Sequence, residues 1–174
     1  TGDALRRVAP SLDPQGSTLT LYGDVPLIES STLHAMCELA NEQTLVLLTV
    51  TLDNPKGYGR IVRNEQGQVI AIVEEKDATD EQREIQEVNT GILLAPNKHL
   101  LGWLDRLSCD NAQGEYYLTD VIAMAAEQGL NIVTVQPFSE ALEGEFEVAG
   151  VNDRIQLSHL ERVLQEKQAK TLMA

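Results

Sequence analysis

Basic residues are scarce in this chain: 13 Lys and Arg stand against 27 Asp and Glu in 174 residues, a formal net charge of −14. Nucleic acid and anionic membrane surfaces are both held through basic patches, so this balance argues against either as a partner. A nucleotide can still be bound through a metal. Cysteine is almost as rare. Cys37 and Cys109 are too few for a disulfide framework and sit in apolar, helix-like contexts, which reads as two free thiols in a reducing compartment, the cytoplasm by default. No apolar run approaches a membrane span. There is no Cys-x-x-Cys pair, Walker loop or serine nucleophile elbow, which removes the familiar redox, P-loop and hydrolase signatures. His34, His99 and His159 lie on helical stretches without metal-ligand spacing and read as surface or packing residues. An initiator Met and a leader peptide are missing too. Residues 4–9 look like the end of a helix, and the helical pattern of 153–172 runs out to Ala174 without a stop signal, so a piece of a longer chain is expected.

What is present is enough apolar content, 43%, for one core. Residues 18–22 and 44–52 read as buried strands, with a helix over 30–41 between them that Ser30 or Ser31 could cap; together they predict a parallel βαβ unit. Gly67 supplies the turn of a hairpin over 59–64 and 69–76. A polar connector, 77–84, leads to a strand over 88–95. Pro96 then suits the first turn of a helix whose Leu100, Leu101, Trp103, Leu104 and Leu107 are core. A helix over 116–127 is closed by Gly129, a strand follows over 131–136, and 138–147 reads as an exposed acidic loop.

Polar residues gather where strands end. Tyr22, Gly23 and Asp24 follow the first strand before Pro26 stops it, and the ends of strands are where open α/β sheets build ligand sites. There Gly23 allows close backbone approach and Asp24 offers the hard carboxylate that Mg²⁺ prefers; the same residues also suit a plain turn with an exposed Asp. Gly57-Tyr58-Gly59-Arg60, Val73-Glu74-Glu75-Lys76 and Asn89-Thr90-Gly91 add a rim able to hydrogen-bond sugar hydroxyls. Locally, Glu74 and Glu75 read more simply as a solvated strand end paired with Lys76, and Asn89 as a turn-former. Asn152 reads as the N-cap of the last helix, or as the residue before it if Asp153 is the cap.

Thr1-Gly2, Leu21-Tyr22-Gly23-Asp24-Val25-Pro26-Leu27, Gly57-Tyr58-Gly59-Arg60-Ile61, Val73-Glu74-Glu75-Lys76-Asp77-Ala78, Asn89-Thr90-Gly91-Ile92, Gln113-Gly114-Glu115-Tyr116-Tyr117-Leu118-Thr119-Asp120 and Gly150-Val151-Asn152 follow one another in an order that resembles the bacterial N-acetylglucosamine-1-phosphate uridyltransferases along essentially the whole chain. The resemblance implies a three-layer, Rossmann-like nucleotide-diphospho-sugar transferase fold with a mixed, mainly parallel sheet. It implies that residues 1–152 are part of the uridyltransferase domain and 153–174 the start of a linker helix. The glycine-rich phosphate loop with its Arg and Lys, and the first strand, would lie before Thr1; an acetyltransferase β-helix that trimerises the protein would lie after Ala174. The implied reaction joins UTP to N-acetylglucosamine 1-phosphate, giving UDP-N-acetylglucosamine, a cell-envelope precursor, and pyrophosphate. On that basis Asp24 and Asn152 hold a catalytic Mg²⁺. Tyr22, Gly23, Gly59, Glu74 and Asn89 line the sugar-nucleotide pocket, and Thr1 and Gly2 belong to the nucleotide side. The fragment alone is then expected to be inactive. The alternative is a non-catalytic module of the same fold that binds a sugar nucleotide or a partner chain.

Overall fold

The computed structural model describes residues 1–137 and 144–173. Its architecture follows from two strands that are apolar on both faces. Thr44–Thr51 (β2) is buried at every position but the last, and its side chains serve two cores in alternation: Leu45 and Leu47 on one face, Val46, Leu48 and Val50 on the other. Glu87–Pro96 (β5) divides likewise, Leu93 and Ala95 against Ile92 and Leu94. Strands of this kind must be covered on both sides. Asn97–Arg106 (α4) and Asp120–Glu127 (α5) cover the first face with Leu100, Trp103, Leu104, Val121 and Ile122. Their spacing on α4 is the i, i+3, i+4 stripe expected of a core helix. Ser30–Glu38 (α2) covers the second face through Met36, so helices flank the sheet in three layers.

Ser17–Thr20 (β1), Arg60–Arg63 (β3), Val69–Val73 (β4) and Asn131–Val135 (β6) complete a six-stranded sheet of order β4-β3-β5-β2-β6, with β1 also paired to β5. β5 is antiparallel to β1, β2 and β3, β4 is antiparallel to β3, and β6 is parallel to β2. Four strands, β1, β2, β3 and β6, therefore point one way, and the sheet is mixed. β1 and β2 are parallel as the βαβ reading expects, but β5 lies between them. That insertion makes most neighbouring pairs antiparallel, a placement that no local pattern signals.

β1 and β3 share one edge of β5. β1 pairs with residues 93–96 and β3 with Val88, so residues 90–92 have no described strand on that edge. There the chain bulges, with a register shift between Leu47 and Thr49 on the facing strand and Gly91 at φ +85°.

Several boundaries differ from the sequence reading. α2 ends at Glu38 and is preceded by Glu29, with no side-chain cap. Pro96 closes β5 and stands at the N-cap of α4 rather than inside it. α5 begins at Asp120, because Tyr116 and Thr119 bind elsewhere: the Tyr116 carbonyl accepts the Gly2 N–H of the first helix, Gly2–Val8 (α1), and the Thr119 hydroxyl donates to Glu74. The connector holds a short helix, Asp80–Arg83 (α3), opened by a Thr79–Gln82 capping box. Of the expected acidic loop, residues 138–143 lie outside the described residues. Gly144–Glu147 (α6) is a helical turn, and Glu147 is fully buried, accepting the Glu29 N–H. Arg154–Met173 (α7) lays Leu160, Val163 and Leu164 against Leu27, and Lys167 pairs with Glu29. Both cysteines are free and exposed, and Cys109 stands in the loop after α4 rather than on a helix. No helix among the described residues is long and apolar enough to cross a membrane.

One ion pair ties four strands together. The Arg63 guanidinium forks onto Glu87 at 2.8 and 2.7 Å and also donates to Thr134, while the Thr49 hydroxyl donates to Glu87. Burial acts to raise the Glu87 carboxyl, but the bonds and charge of Arg63 with the Thr49 hydroxyl outweigh it and hold the group below its usual 4.5. A carboxyl depressed in the folded state adds stability above its unfolded value and loses it as pH falls. Glu87→Gln should cost roughly 1 kcal/mol at neutral pH, the pair being partly screened by solvent. The variant's denaturant midpoint should converge on that of the parent as the pH is lowered below the usual carboxylate range.

Candidate functional site

The uncovered edge of β5 opens into two adjoining recesses of about 290 and 380 Å³. Tyr22, Gly57, Tyr58 and Thr90 line both, forming a shared wall. Thr1, Gly59, Glu74, Asn89, Gly91 and residues of the 113–119 segment complete the first recess. Asp24, Lys56, Val148, Gly150, Asn152 and Gln156 are among those completing the second.

The bulge that makes this opening is braced by its own side chains. The Asn89 Oδ1 accepts the Gly91 N–H at 3.0 Å, the Thr90 hydroxyl donates to the Leu48 carbonyl at 2.8 Å and accepts the Ile92 N–H, and the Asn89 N–H donates to the Gly59 carbonyl at 2.8 Å. Asn89 thus takes its local, turn-forming part through the side-chain oxygen, and its NH₂ is what it can offer the recess. Gly91 is required twice over. Its φ is positive, and a Cβ there would stand 2.5 Å from the Tyr22 ring. Close packing of Tyr22 on the Gly91 backbone, with its hydroxyl donating to Thr1 Oγ1 at 3.2 Å, sets the floor between the recesses.

Glu74 follows the end of β4 and takes the Thr119 hydroxyl at 2.9 Å on one carboxylate oxygen. It is half-buried, not a solvated strand end. Lys76 does not pair with it or with Glu75; its ammonium donates to Gln113 at 3.2 Å. Around the rim of the first recess, burial pushes the Tyr117 phenol up, reinforced by the negative Asp77 and Glu74. Burial, with Asp77 nearby, also pushes the Asp120 carboxyl up.

In the second recess Asp24 and Asn152 are brought together by a backbone bond, the Val151 N–H donating to the Asp24 carbonyl at 2.8 Å. The last helix is capped by Asp153, whose Oδ1 accepts the Ile155 and Gln156 N–H groups at 2.8 Å. Asn152 is therefore the residue before the cap, and its side chain bonds no other described residue. One carboxylate and one amide oxygen, both exposed, suit Mg²⁺, which takes few protein ligands and completes its shell with water and phosphate oxygens. No group of three or more His, Cys, Asp or Glu side chains able to hold a metal occurs among the described residues.

Two anticipated residues contribute no surface to either recess. Gly2 is buried, and a Cβ there would meet the Tyr116 carbonyl at 2.6 Å and Leu107 at 2.8 Å, so its place is in the packing of α1. Gly23 is exposed, and a Cβ at that position would have nothing within 4 Å. Conversely, Thr119, Tyr117 and Lys56 belong to the site without having been singled out. The first two fall inside a motif already noted for its order in the chain; Lys56 carries no local signal.

No protein-family model matches the chain. Among curated proteins it is 69% identical over 173 residues to the bifunctional protein GlmU of Marinomonas sp., 58% identical to that of Pseudomonas savastanoi and 56% identical to that of Marinobacter nauticus. Each match takes in at least 99% of this chain, and the chain spans 37% of the length of these relatives. The fold is similar to that of a glucose-1-phosphate thymidylyltransferase from Bacillus anthracis, with TM-score 0.66 and 17% identity over 94% of this chain and 60% of that one. A nucleotidyl transferase from Methanothermobacter aligns with TM-score 0.53 and 18% identity over 94% of this chain and 58% of that one.

The close approach at Gly91 can be tested directly. Gly91→Ala should lower the thermal midpoint by several degrees and displace the Tyr22 ring resonances, since strained backbone and a sub-contact approach cost about 1–3 kcal/mol. Gly23→Ala, opening onto free space, should leave the midpoint within about one degree of the parent.

Proposed function

We propose that this chain, a stretch of GlmU-type sequence, forms the sugar side of a nucleotidyl-transfer site that makes UDP-N-acetylglucosamine from UTP and N-acetylglucosamine 1-phosphate. The observation that carries the reading is the pairing of two recesses over one wall: a neutral and acidic hydrogen-bonding recess beside one that presents Asp24 and Asn152. A sugar with several hydroxyls suits the first, where Glu74 accepts and the Asn89 NH₂ donates. Phosphate oxygens suit the second, provided their charge is offset.

In this reaction an oxygen of the sugar phosphate attacks the α-phosphorus of UTP, the bond from that phosphorus to the bridging oxygen breaks, and pyrophosphate leaves with the electron pair. Such transfers depend on positioning and charge neutralisation. Asp24 and Asn152 would hold Mg²⁺, which when bound supplies positive charge to the reacting phosphates. Glu74, kept in place by Thr119, and Asn89, kept in place by its bulge, fix the sugar so that its phosphate lies over the shared wall of Tyr22, Gly57 and Tyr58. Lys56 is the cation among the described residues lining the recesses. The remaining positive charge for a triphosphate we assign to an Arg- and Lys-bearing phosphate loop on the amino-terminal side of Thr1, and α7 we read as the start of a linker helix.

Two sets of variants of the full-length protein test this. Asp24→Asn and Asn152→Ala should each abolish Mg²⁺-dependent pyrophosphate release with unchanged thermal midpoints, because Mg²⁺ holds its ligands near 2.0–2.1 Å in an octahedron that tolerates little loss. Turnover near that of the parent would remove the residue from the metal site. Glu74→Ala and Asn89→Ala should raise KM for the sugar phosphate about 3- to 10-fold, as expected for a lost hydrogen bond, with little change in KM for UTP. A larger rise in KM for UTP than for the sugar phosphate would show that the recesses have been assigned the wrong way round, and equal effects would remove the first recess as a site specific to the sugar.

A further inference from the structure

Arg60 touches neither recess, yet it is the most deeply buried cation described, its side chain only 2% exposed. A guanidinium taken out of water at the head of β3 needs several partners to offset its desolvation, and those it has lie on three separate segments. Its Nη2 meets Glu75 Oε2 at 2.7 Å. Its Nη1 donates to the Tyr58 carbonyl. Nε and Nη2 both donate to the Arg83 carbonyl at the carboxyl end of α3, where the last carbonyls of the turn have no partner within it. Glu75 then passes the constraint on, accepting the Gly57 N–H at 3.3 Å on the same oxygen that meets Arg60.

The loop thus held carries the shared wall. Gly57, at φ +90°, is in a conformation that glycine adopts freely and that needs an external constraint to become unique. Tyr58 is gripped at its carbonyl, and the Gly59 carbonyl receives the Asn89 N–H. Glu74 and Glu75 follow the last residue of β4 and enter a turn in which the Glu74 carbonyl accepts the Asp77 N–H at 3.0 Å. With Glu75 turned toward Arg60 and Gly57, Glu74 is turned toward Thr119 and the first recess.

We propose that Arg60 and Glu75 are positioning residues, a buried clamp that sets the backbone of residues 57–59 and the direction of Glu74, and so governs how tightly the sugar phosphate is held. The functional half of this statement rests on the reading of the first recess as the sugar site. Neither residue contacts substrate; both act through the loop.

The test uses the full-length protein and two readouts, amide hydrogen exchange over residues 56–60 and steady-state kinetics for each substrate. Glu75 is 29% exposed, so Glu75→Ala is expected to fold. It should speed exchange at residues 57–59 at least tenfold while exchange in β2 and α4 stays unchanged, and raise KM for the sugar phosphate about tenfold with KM for UTP within twofold. Glu75→Gln, which can still accept the Gly57 N–H, should recover most of both effects. Arg60→Lys keeps the charge but cannot fork, and should resemble Glu75→Ala. Unchanged local exchange in Glu75→Ala would overturn the clamp whatever the kinetics. A uniform rise in exchange across the chain would overturn it too, by marking a general loss of stability. Faster local exchange with both Michaelis constants unchanged would overturn the assignment of the sugar to the first recess.

Discussion

The pairing of β5 with two different strands along one edge is the constraint on which the rest of the molecule depends. β1 takes residues 93–96 and β3 takes Val88, so the backbone between them must find its hydrogen bonds elsewhere. It finds them in the Asn89 and Thr90 side chains and in the Gly59 carbonyl. A sheet with an interruption at its centre, rather than at its end, leaves a concave opening floored by rigid strands. Binding groups placed there keep their geometry because the strands beneath them are packed on both faces.

That opening is finished by two loops that arrive from different directions. The chain leaving β1 lays Tyr22 over Gly91 and delivers Asp24 to the 150–152 segment, to which its carbonyl is bonded. The loop before β3 delivers Gly57, Tyr58 and Gly59, and it is held from behind by the buried Arg60 with Glu75. Loops are ordinarily the softest parts of an α/β domain. Here each is tied to neighbouring segments, the first to Thr1 and Val151 and the second to Arg60, Glu75 and Asn89, which is how side chains on connectors become as well placed as those on strands.

Charge shapes the site in a related way. A chain with net charge −14 repels phosphates at long range, and Asp24 adds a carboxylate to the second recess. Glu75 and Glu87, by contrast, spend their charge on Arg60 and Arg63. Those arginines are thereby used up in structure. Among the described residues lining the second recess, Lys56 is then the cation, beside the Asp24 carboxylate and the Asn152 amide.

Much of the secondary structure is legible in local pattern. The unbroken apolar run of β2, the i, i+3, i+4 stripe of α4 and the turn at Gly67 each follow from backbone geometry and a single environment, and none needs knowledge of the rest of the chain. Polar stretches rich in Tyr, Gly, Asp, Glu and Asn are likewise visible in the sequence, and most of the anticipated residues do meet around the two recesses. What the sequence by itself determined, then, was the elements and the residues at their ends. Only the tertiary structure decided which elements are neighbours: that β5 enters between β1 and β2, that Glu75 faces Arg60 and not Lys76, that Glu147 is buried beside Glu29, and that Asp153 takes the cap and releases Asn152. The reason is physical. Periodicity reports whether a side chain faces a core or water, whereas pairing of strands, ion pairs and caps depends on groups distant in the chain, whose meeting is settled only when all the apolar faces are covered at once.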